Sequence, residues 1–237
     1  MKIADDQPSG LSALDRPNSY IGRSVPRPNL ARLTQGRGQY VSDLVLPRMA
    51  HVAYLRSPHA HARIKAIDTR EARRAPGVIA VVTSAELVKV VTPWVGVLTH
   101  LKGPKSAPQH AIALDRACRQ GEAVCAVVAR TRAEAEDACA LIAVDYEALD
   151  AVTDAETALD RATPVIHPEL GDNLAFERTL TAGDPDQGFA DADAIAETTF
   201  VFGRHTGVTN EPRAIVADWN PGEARLTTRA ASSLTPR

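Results

Sequence analysis

The sequence is poor in aromatic residues and methionine, and it contains no long apolar run. Only 4% of its 237 residues are aromatic whereas 44% are hydrophobic, so its core must be built mainly from Val, Ala, Leu and Ile. No apolar stretch approaches the roughly 18 residues that a membrane-spanning helix needs. The net charge of −2 is spread without a block of one sign, so nothing indicates a nucleic-acid or membrane-surface partner.

Cysteine is also scarce. The three cysteines, Cys118, Cys125 and Cys139, match no CxxC spacing, and their simplest interpretation is as small buried thiols. An iron–sulfur cluster takes about four cysteine ligands, so this chain cannot supply one by itself. Free thiols fit a reducing compartment, and we therefore expect a cytoplasmic protein.

The N-terminal region has little apolar character. Residues 1–19 lack the apolar segment of a secretion signal, so we expect a flexible leader. Residues 20–29 are predicted to be extended and irregular. Gly36 and Gly38 precede a predicted strand at 39–41, whereas a phosphate-binding loop needs a strand before its glycines and a helix after them. We therefore assign no phosphate site here.

The segment 51–68 has the clearest local organisation. Two runs of strand type, residues 51–55 and 63–67, flank a bend marked by Pro58, which cannot donate a backbone hydrogen bond. Together they suggest a hairpin-like unit, with Asp68 at its end. Four side chains of types that can take part in catalysis or metal binding crowd the bend: Arg56, Ser57, His59 and His61.

This bend has three interpretations: a serine hydrolase site, a metal site and a structural role. A serine hydrolase would combine the serine, a histidine and Asp68, but such triads are normally assembled from distant segments and no G-x-S-x-G turn is present. A metal site at His59 and His61 would need a third ligand, and none is evident. We favour a structural interpretation, in which Arg56 pairs with a carboxylate or carbonyl and the histidines satisfy backbone groups. No catalytic residue and no metal ligand is assigned to this chain.

The middle of the chain alternates strand and helix patterns. The runs 78–83 and 123–129 are continuously apolar, which predicts strands buried on both faces. Thr131 and Glu134 form a capping-box sequence that predicts a helix start. A long loop is predicted at 92–109. A strand is also predicted at 144–147, and helices at 69–74, 84–88, 131–142 and 154–159. This order favours a mixed α/β sheet with crossover helices.

The C-terminal region begins with a predicted linker at 164–173, where we place a domain boundary. Three strands are predicted beyond it, at 195–203, 214–219 and 225–229. The turn residues at 220–223 would join the last two strands.

Taken together, the motifs resemble the large subunit of the molybdenum hydroxylases, the family of aldehyde oxidase, xanthine dehydrogenase and carbon monoxide dehydrogenase. They occur in the family's order: RSPHAHA at 56–62, APGV at 75–78, GEAV at 121–124, VDYE at 144–147 and EPRA at 211–214. The resemblance implies an α+β fold. An a/b hammerhead domain would span residues 20–163, and a truncated, mainly β start of the molybdopterin-binding domain would span residues 164–237.

The resemblance also implies a reaction and its partners. The complete enzyme would use molybdenum–molybdopterin to hydroxylate an aldehyde, a heteroaromatic ring or a similar small molecule. Electrons would pass to iron–sulfur and FAD subunits. The segment with His205, Glu211 and Arg213 resembles one that lies inside the family's cofactor domain, where Glu211 and Arg213 would form a buried ion pair.

The tail departs from the family's pattern. Where the family has a serine-threonine-glutamine stretch beside the metal, this chain has Ala231, Ser232 and Ser233, so the glutamine is missing. The later cofactor loop and the catalytic glutamate have no counterpart in these residues. Cofactor-binding residues therefore stay unassigned, and we expect no cofactor on this chain alone.

Two hypotheses follow from the pattern. In the first, the chain is part of a working oxidoreductase whose remaining large-subunit sequence lies on another chain. In the second, it is a non-catalytic truncated remnant or a scaffold that binds partners.

Overall fold

The computed structural model describes residues 20, 28, 30–96, 103–203, 205, 207–209 and 211–231. The predicted leader and most of the predicted extended stretch at 20–29 lie outside the described residues. The chain divides into two compact units, one of Pro47–Phe200 and one of Met1–Leu46 with Val201–Arg237. In the part of the chain that the structure describes, no helix is long and apolar enough to cross a membrane.

The elements are short, and more residues lie in strands than in helices. In chain order they are α1 (Leu30–Thr34), β1 (His51–Arg56), β2 (Ala62–Asp68), β3 (Val78–Val82), α2 (Ser84–Leu87), β4 (Arg116–Ala117), β5 (Ala123–Ala129), α3 (Arg132–Ala140), β6 (Ala143–Ala148), α4 (Pro185–Ala190), β7 (Ile215–Asn220) and β8 (Arg225–Ala230). Single 3-10 turns lie at Val41–Asp43, Ala72–Arg74 and Pro168–Leu170. The architecture is therefore α+β, as the sequence predicts.

Two three-stranded sheets form the unit Pro47–Phe200, with strand orders β1-β5-β3 and β4-β2-β6. Among the described residues every strand pairing is antiparallel. The predicted crossover arrangement is therefore wrong, because α3 leads from β5 in one sheet to β6 in the other. The predicted hairpin is wrong for the same reason, since β1 and β2 also belong to different sheets. The bend between them carries the chain from one sheet to the next.

The main core lies between the sheet β1-β5-β3 and helix α3. The capping box that the sequence predicts is present: Glu134 N donates to Thr131 Oγ1 at 3.2 Å, and Thr131 N donates to Glu134 Oε2 at 2.9 Å. The predicted inner face is buried and packs on Val81 and Val127 of the sheet; its members are Ala135, Ala138, Cys139 and Ile142. Because these side chains are small, the helix lies close to the sheet without aromatic filling.

In the described residues, three local predictions fail and two short elements were not predicted. Residues 39–41 form no strand, because Asp43 N donates to Tyr40 O at 3.0 Å and closes a 3-10 turn, which Asp43 Oδ2 caps by accepting from Tyr40 N. Residues 154–159 form turns instead of a helix, and 195–203 form no strand because no partner strand lies beside them. Helix α4 was not predicted, although Asp184 caps it and Pro185 opens it. The short strand β4 was also missed.

The second unit contains the β7–β8 ribbon, at the positions that the sequence predicts. Asn220 Oδ1 accepts hydrogen bonds from Gly222 N and Glu223 N in the connecting turn. The pairs Ile215–Ala230, Ala217–Thr228 and Trp219–Leu226 share one face of the ribbon. Val216, on the other face, is the single buried residue within the described part of 201–231.

Candidate functional site: the bend between the two sheets

The bend at residues 57–61 is held by the GEAV turn. Ser57 N donates to Glu122 O at 2.8 Å, and Gly121 N donates to Ser57 O at 2.8 Å. Arg56 adds a third link, since its Nη1 donates to Gly121 O at 2.8 Å. The first and third family-like motifs therefore form one hydrogen-bonded unit.

Arg56 uses its side chain as the structural interpretation predicts, with a carbonyl as its partner. Its guanidinium carbon also lies 5.6 Å from the centre of the Tyr54 ring, a cation–π distance. Both side chains remain at the surface. Arg56 thus fastens the end of β1 to the GEAV turn.

The serine hydroxyl is not placed for nucleophilic catalysis. Ser57 Oγ donates to the backbone oxygen of His59 at 3.0 Å and accepts from His59 N at 3.1 Å. A nucleophile would instead need an imidazole nitrogen as its base. Asp68 is held by Arg70, whose Nη2 lies 2.6 Å from its Oδ2, and this pairing lowers the pKa of Asp68 to about 2. The geometry does not support the hydrolase alternative.

The two histidines lie in different surroundings. His61 is 6% exposed, and its Nδ1 lies 2.7 Å from the Asp150 carbonyl oxygen. Since a carbonyl only accepts, Nδ1 carries the hydrogen and Nε2 is left as an acceptor. Nε2 is buried and finds no hydrogen-bond partner among the described residues. His59 instead packs edge-on against Tyr146, with 5.1 Å between the ring centres.

The VDYE strand completes the junction. Besides the contact of Tyr146 with His59, Leu149 N donates to His61 O at 3.0 Å. Burial raises the pKa of the Tyr146 hydroxyl, so it stays protonated at neutral pH. Sequence reasoning missed this role of Tyr146. The only available signal was its alternation with Asp145 and Glu147, which places it on the inner face of β6.

A cavity of about 260 Å³ lies near the junction, lined by Cys118, Glu122 and His167 among others. Cys118 N donates to Glu122 Oε2 at 2.7 Å. Burial, reinforced by the charge of Glu122, raises the pKa of the Cys118 thiol. Cys118 is therefore a thiol rather than the thiolate that a metal or a nucleophilic reaction requires. The other two cysteines are buried, as predicted, and Cys118 is partly buried.

Within the residues that the structure describes, no three His, Cys, Asp or Glu side chains are grouped to hold a metal ion. The prediction that this chain supplies no metal ligand stays a prediction, because parts of the chain lie outside the described residues.

The tail does not bring its predicted pair together. Glu211 is partly exposed, Arg213 is exposed, and the two side chains form no ion pair in the described part of the tail. The predicted buried pair is therefore wrong. The reason is that no second layer among the described residues covers this segment; His205 likewise lies exposed, 5.1 Å from the Phe202 ring.

The residues of this tail do not enclose a cofactor by themselves. Across the described part of 201–231, almost every side chain is exposed, and only Val216 is buried. A molybdopterin-sized group needs a concave site with convergent polar groups. The described tail residues do not form one, so no chemical step is derived from them.

Comparison with known proteins gives the family. Residues 35–150 match the model "Aldehyde oxidase and xanthine dehydrogenase, a/b hammerhead domain", and residues 166–235 match "Molybdopterin cofactor-binding domain". The nicotine 6-hydroxylase large subunit of Paenarthrobacter nicotinovorans is 34% identical over 90% of this chain and 27% of that protein. The carbon monoxide dehydrogenase large chain of Afipia carboxidovorans is 38% identical over 73% of this chain and 22% of that protein.

Solved structures agree. Quinoline 2-oxidoreductase from Pseudomonas putida 86 matches with a TM-score of 0.82 at 36% identity, over 90% of this chain and 27% of that one. Aldehyde oxidoreductase from Desulfovibrio gigas matches with a TM-score of 0.78 at 26% identity, over 94% of this chain and 24% of that one. The chain thus spans about a quarter of the length of the relatives it matches. It belongs to the molybdenum hydroxylase family, and it corresponds to the a/b hammerhead domain and part of the molybdopterin cofactor-binding domain of the large subunit.

Proposed function

We propose that this chain serves as the N-terminal portion of the large subunit of a molybdopterin-dependent hydroxylase, and that it acts there as scaffold. The observation that carries the proposal is the bend junction. The motifs at 56–62, 121–124 and 144–147 direct their hydrogen bonds and ring contacts at one another. Polar and aromatic groups that contact one another in this way stabilise the domain, and few of them remain to bind a substrate.

The isolated chain is, in this proposal, inactive and free of molybdenum. The tail lacks the family-like glutamine, and its described side chains do not enclose a cofactor. In the second unit, Ile215 is 68%, Trp219 56% and Leu226 58% exposed on one ribbon face. Because an isolated two-stranded ribbon is marginally stable, this face supports completion of the domain by further large-subunit sequence.

The complete enzyme would hydroxylate a small aldehyde, a heteroaromatic ring or a similar molecule. Molybdenum–molybdopterin would supply the redox chemistry, and iron–sulfur and FAD subunits would receive the electrons. The names of the relatives support a multi-subunit assembly, since one is a "large subunit" and another a "complex subunit gamma".

We further propose a cytoplasmic location for the protein. Its three cysteines are free thiols, and two of them are buried in the core where a disulfide partner cannot reach them. Burial raises the pKa of Cys125 to about 11, which keeps that thiol protonated. Unpaired core thiols are ordinary in a reducing compartment.

The test is a comparison of the chain alone with the chain co-expressed with the remainder of the large subunit and its partner subunits. We expect metal analysis to find no stoichiometric molybdenum on the chain alone. The co-expressed complex should contain molybdenum and reduce a dye with aldehydes, purines or N-heteroaromatic compounds as substrates. Stoichiometric molybdenum on the isolated chain would contradict the proposal. A complex that forms but never reduces the dye would favour the non-catalytic scaffold instead.

A further inference from the structure

The sheet β1-β5-β3 is apolar on both faces, but the described residues of the chain cover only one of them. In the antiparallel register, side chains directly opposite one another share a face, and successive residues alternate. The covered face includes the row Ala53–Val127–Val81 and packs on α3. We call the opposite side the outer face. It consists of two rows, Val52–Val128–Ala80 and Tyr54–Ala126–Val82.

The outer face is open along β1 and β3. Val52 is 50% and Tyr54 48% exposed, and Ala80, Val82 and Val128 are partly exposed. Only Ala126, in the central strand, is buried. A stretch that is apolar on both faces is the pattern of a strand with layers on each side. The missing second layer is therefore not supplied by the described residues of this chain.

Strand β3 adds an open edge to this face. The sequence predicts it to be buried on both faces, yet it lies at the edge of the sheet with no charged residue in Val78–Val82. Ile79, in an irregular step of the pairing, is 60% exposed. Uncharged apolar edges are normally covered by another element. The open edge and the outer face therefore both indicate that a further element covers this sheet.

We propose that the outer face is the docking surface for the remainder of the large-subunit polypeptide. This inference rests on the proposed function. The matched relatives are about four times longer than this chain, so most of their length lies outside these residues. None of the six side chains of the outer face is charged, which is typical of permanent interfaces rather than transient ones.

The partner surface can be described from its chemistry. It should be apolar over Val52 and Tyr54 and carry a carboxylate opposite Arg56, whose guanidinium lies beside the Tyr54 ring at the margin of the face. Among the described residues, Arg56 uses only its Nη1, which donates to the Gly121 carbonyl, so its other N–H groups can donate to such a carboxylate.

The experiment introduces a lysine on the outer face and, as a matched control, elsewhere. Val52→Lys places a charge on the outer face, at a position that is 50% exposed. Val90→Lys places the same charge at a position that is 79% exposed and lies outside the sheet. Binding of each purified chain to the remainder of the large subunit, expressed as a separate polypeptide, is measured by titration. We expect Val52→Lys to weaken binding by about tenfold or more and Val90→Lys to leave it unchanged.

The outcomes separate this inference from the proposed function. If the unaltered chain does not bind the remainder at all, the proposed function fails. If it binds and Val52→Lys binds equally well, the docking surface is overturned while the proposed function stands. Amide hydrogen exchange on the unaltered chain gives a second measurement that does not depend on a variant's folding. We expect exchange in β1 and β3 to slow on binding, and unchanged exchange there would overturn the inference. Self-association of the unaltered chain that Val52→Lys abolishes would instead assign the face to a second copy.

Discussion

At the scale of single residues, Gly77 links two distant motifs. It belongs to the APGV turn and adopts a φ of 76°, a left-handed conformation that favours glycine. Its carbonyl oxygen accepts a hydrogen bond from Arg130 N at 3.0 Å, just before α3. A side-chain carbon at this position would overlap the Glu134 carboxylate that caps the helix. The glycine therefore permits the turn and the helix cap to occupy neighbouring space.

A pair of glycine variants tests this contact. Gly121 has a similar φ of 80° but no heavy atom within 4 Å of an added side-chain carbon, so Gly121→Ala costs only the backbone strain. That strain is about 1–2 kcal/mol. We expect Gly77→Ala to lower the free energy of unfolding by about 1 kcal/mol more than Gly121→Ala, the size of a lost helix cap. Urea unfolding at pH 7 measures both variants. Equal losses would show that Glu134 moves aside freely.

The candidate site was predictable residue by residue only in part. That Arg56 would bind a carbonyl followed from the need to satisfy polar groups, and the structure confirms it. The hydrogen bonds between Ser57 Oγ and the backbone of His59 could not be predicted, because the rotamer of the serine and its bonding partner depend on the path of the bend. The predicted ion pair between Glu211 and Arg213 is wrong because burial requires a covering layer of chain. A short stretch of sequence does not show whether such a layer is present.

At the scale of elements, α2 is fixed by a charged cap. Glu86 Oε2 accepts from Thr83 N at 2.8 Å and also binds the Thr83 hydroxyl, while Arg73 Nη2 donates to Glu86 Oε1 at 2.9 Å. The hydrogen bond from the Thr83 hydroxyl is the main reason that the pKa of Glu86 falls to about 2. The carboxylate therefore joins the Ala72–Arg74 turn to the start of α2.

This cap gives a pH prediction. Because the pKa of Glu86 is lower in the folded chain than its ordinary value of 4.5, its stabilisation is complete above pH 4.5 and is lost as the pH falls toward 2. We expect the urea midpoint of the unaltered chain to fall over this range, and the gap between it and Glu86→Gln to close. Unfolding curves at pH 7, 4.5, 3 and 2 measure the gap. A gap that stays constant down to pH 2 would contradict the assigned role.

At the scale of the whole molecule, each of the two units leaves apolar side chains exposed. In the unit Pro47–Phe200, the main core lies between α3 and the sheet β1-β5-β3, while Val52 and Tyr54 on the outer face of that sheet are about half exposed. In the other unit, the described ribbon exposes Ile215, Trp219 and Leu226 on one face. Exposed apolar faces of this kind promote association.

We expect the isolated chain to self-associate as its concentration rises. Trp219→Lys should reduce the association, because it charges the apolar face of the ribbon. Thr227→Lys, on the opposite face beside Asp218, is the matched control and should not reduce it. Light scattering after size-exclusion chromatography measures the mass of each variant. A monodisperse monomer that melts cooperatively at all concentrations would contradict the prediction.

The sequence by itself determined the family, the capped helix α3 with its buried face, and the strands β1, β2, β3, β5, β6, β7 and β8. These features are local, since a cap, a periodicity and a motif are each contained in a short string. Only the tertiary structure decided which strands pair, that β1 and β2 lie in different sheets, and that β3 lies at an edge with one face open. Pairing and burial depend on contacts between distant segments, and the same apolar run serves equally well at the centre or the edge of a sheet.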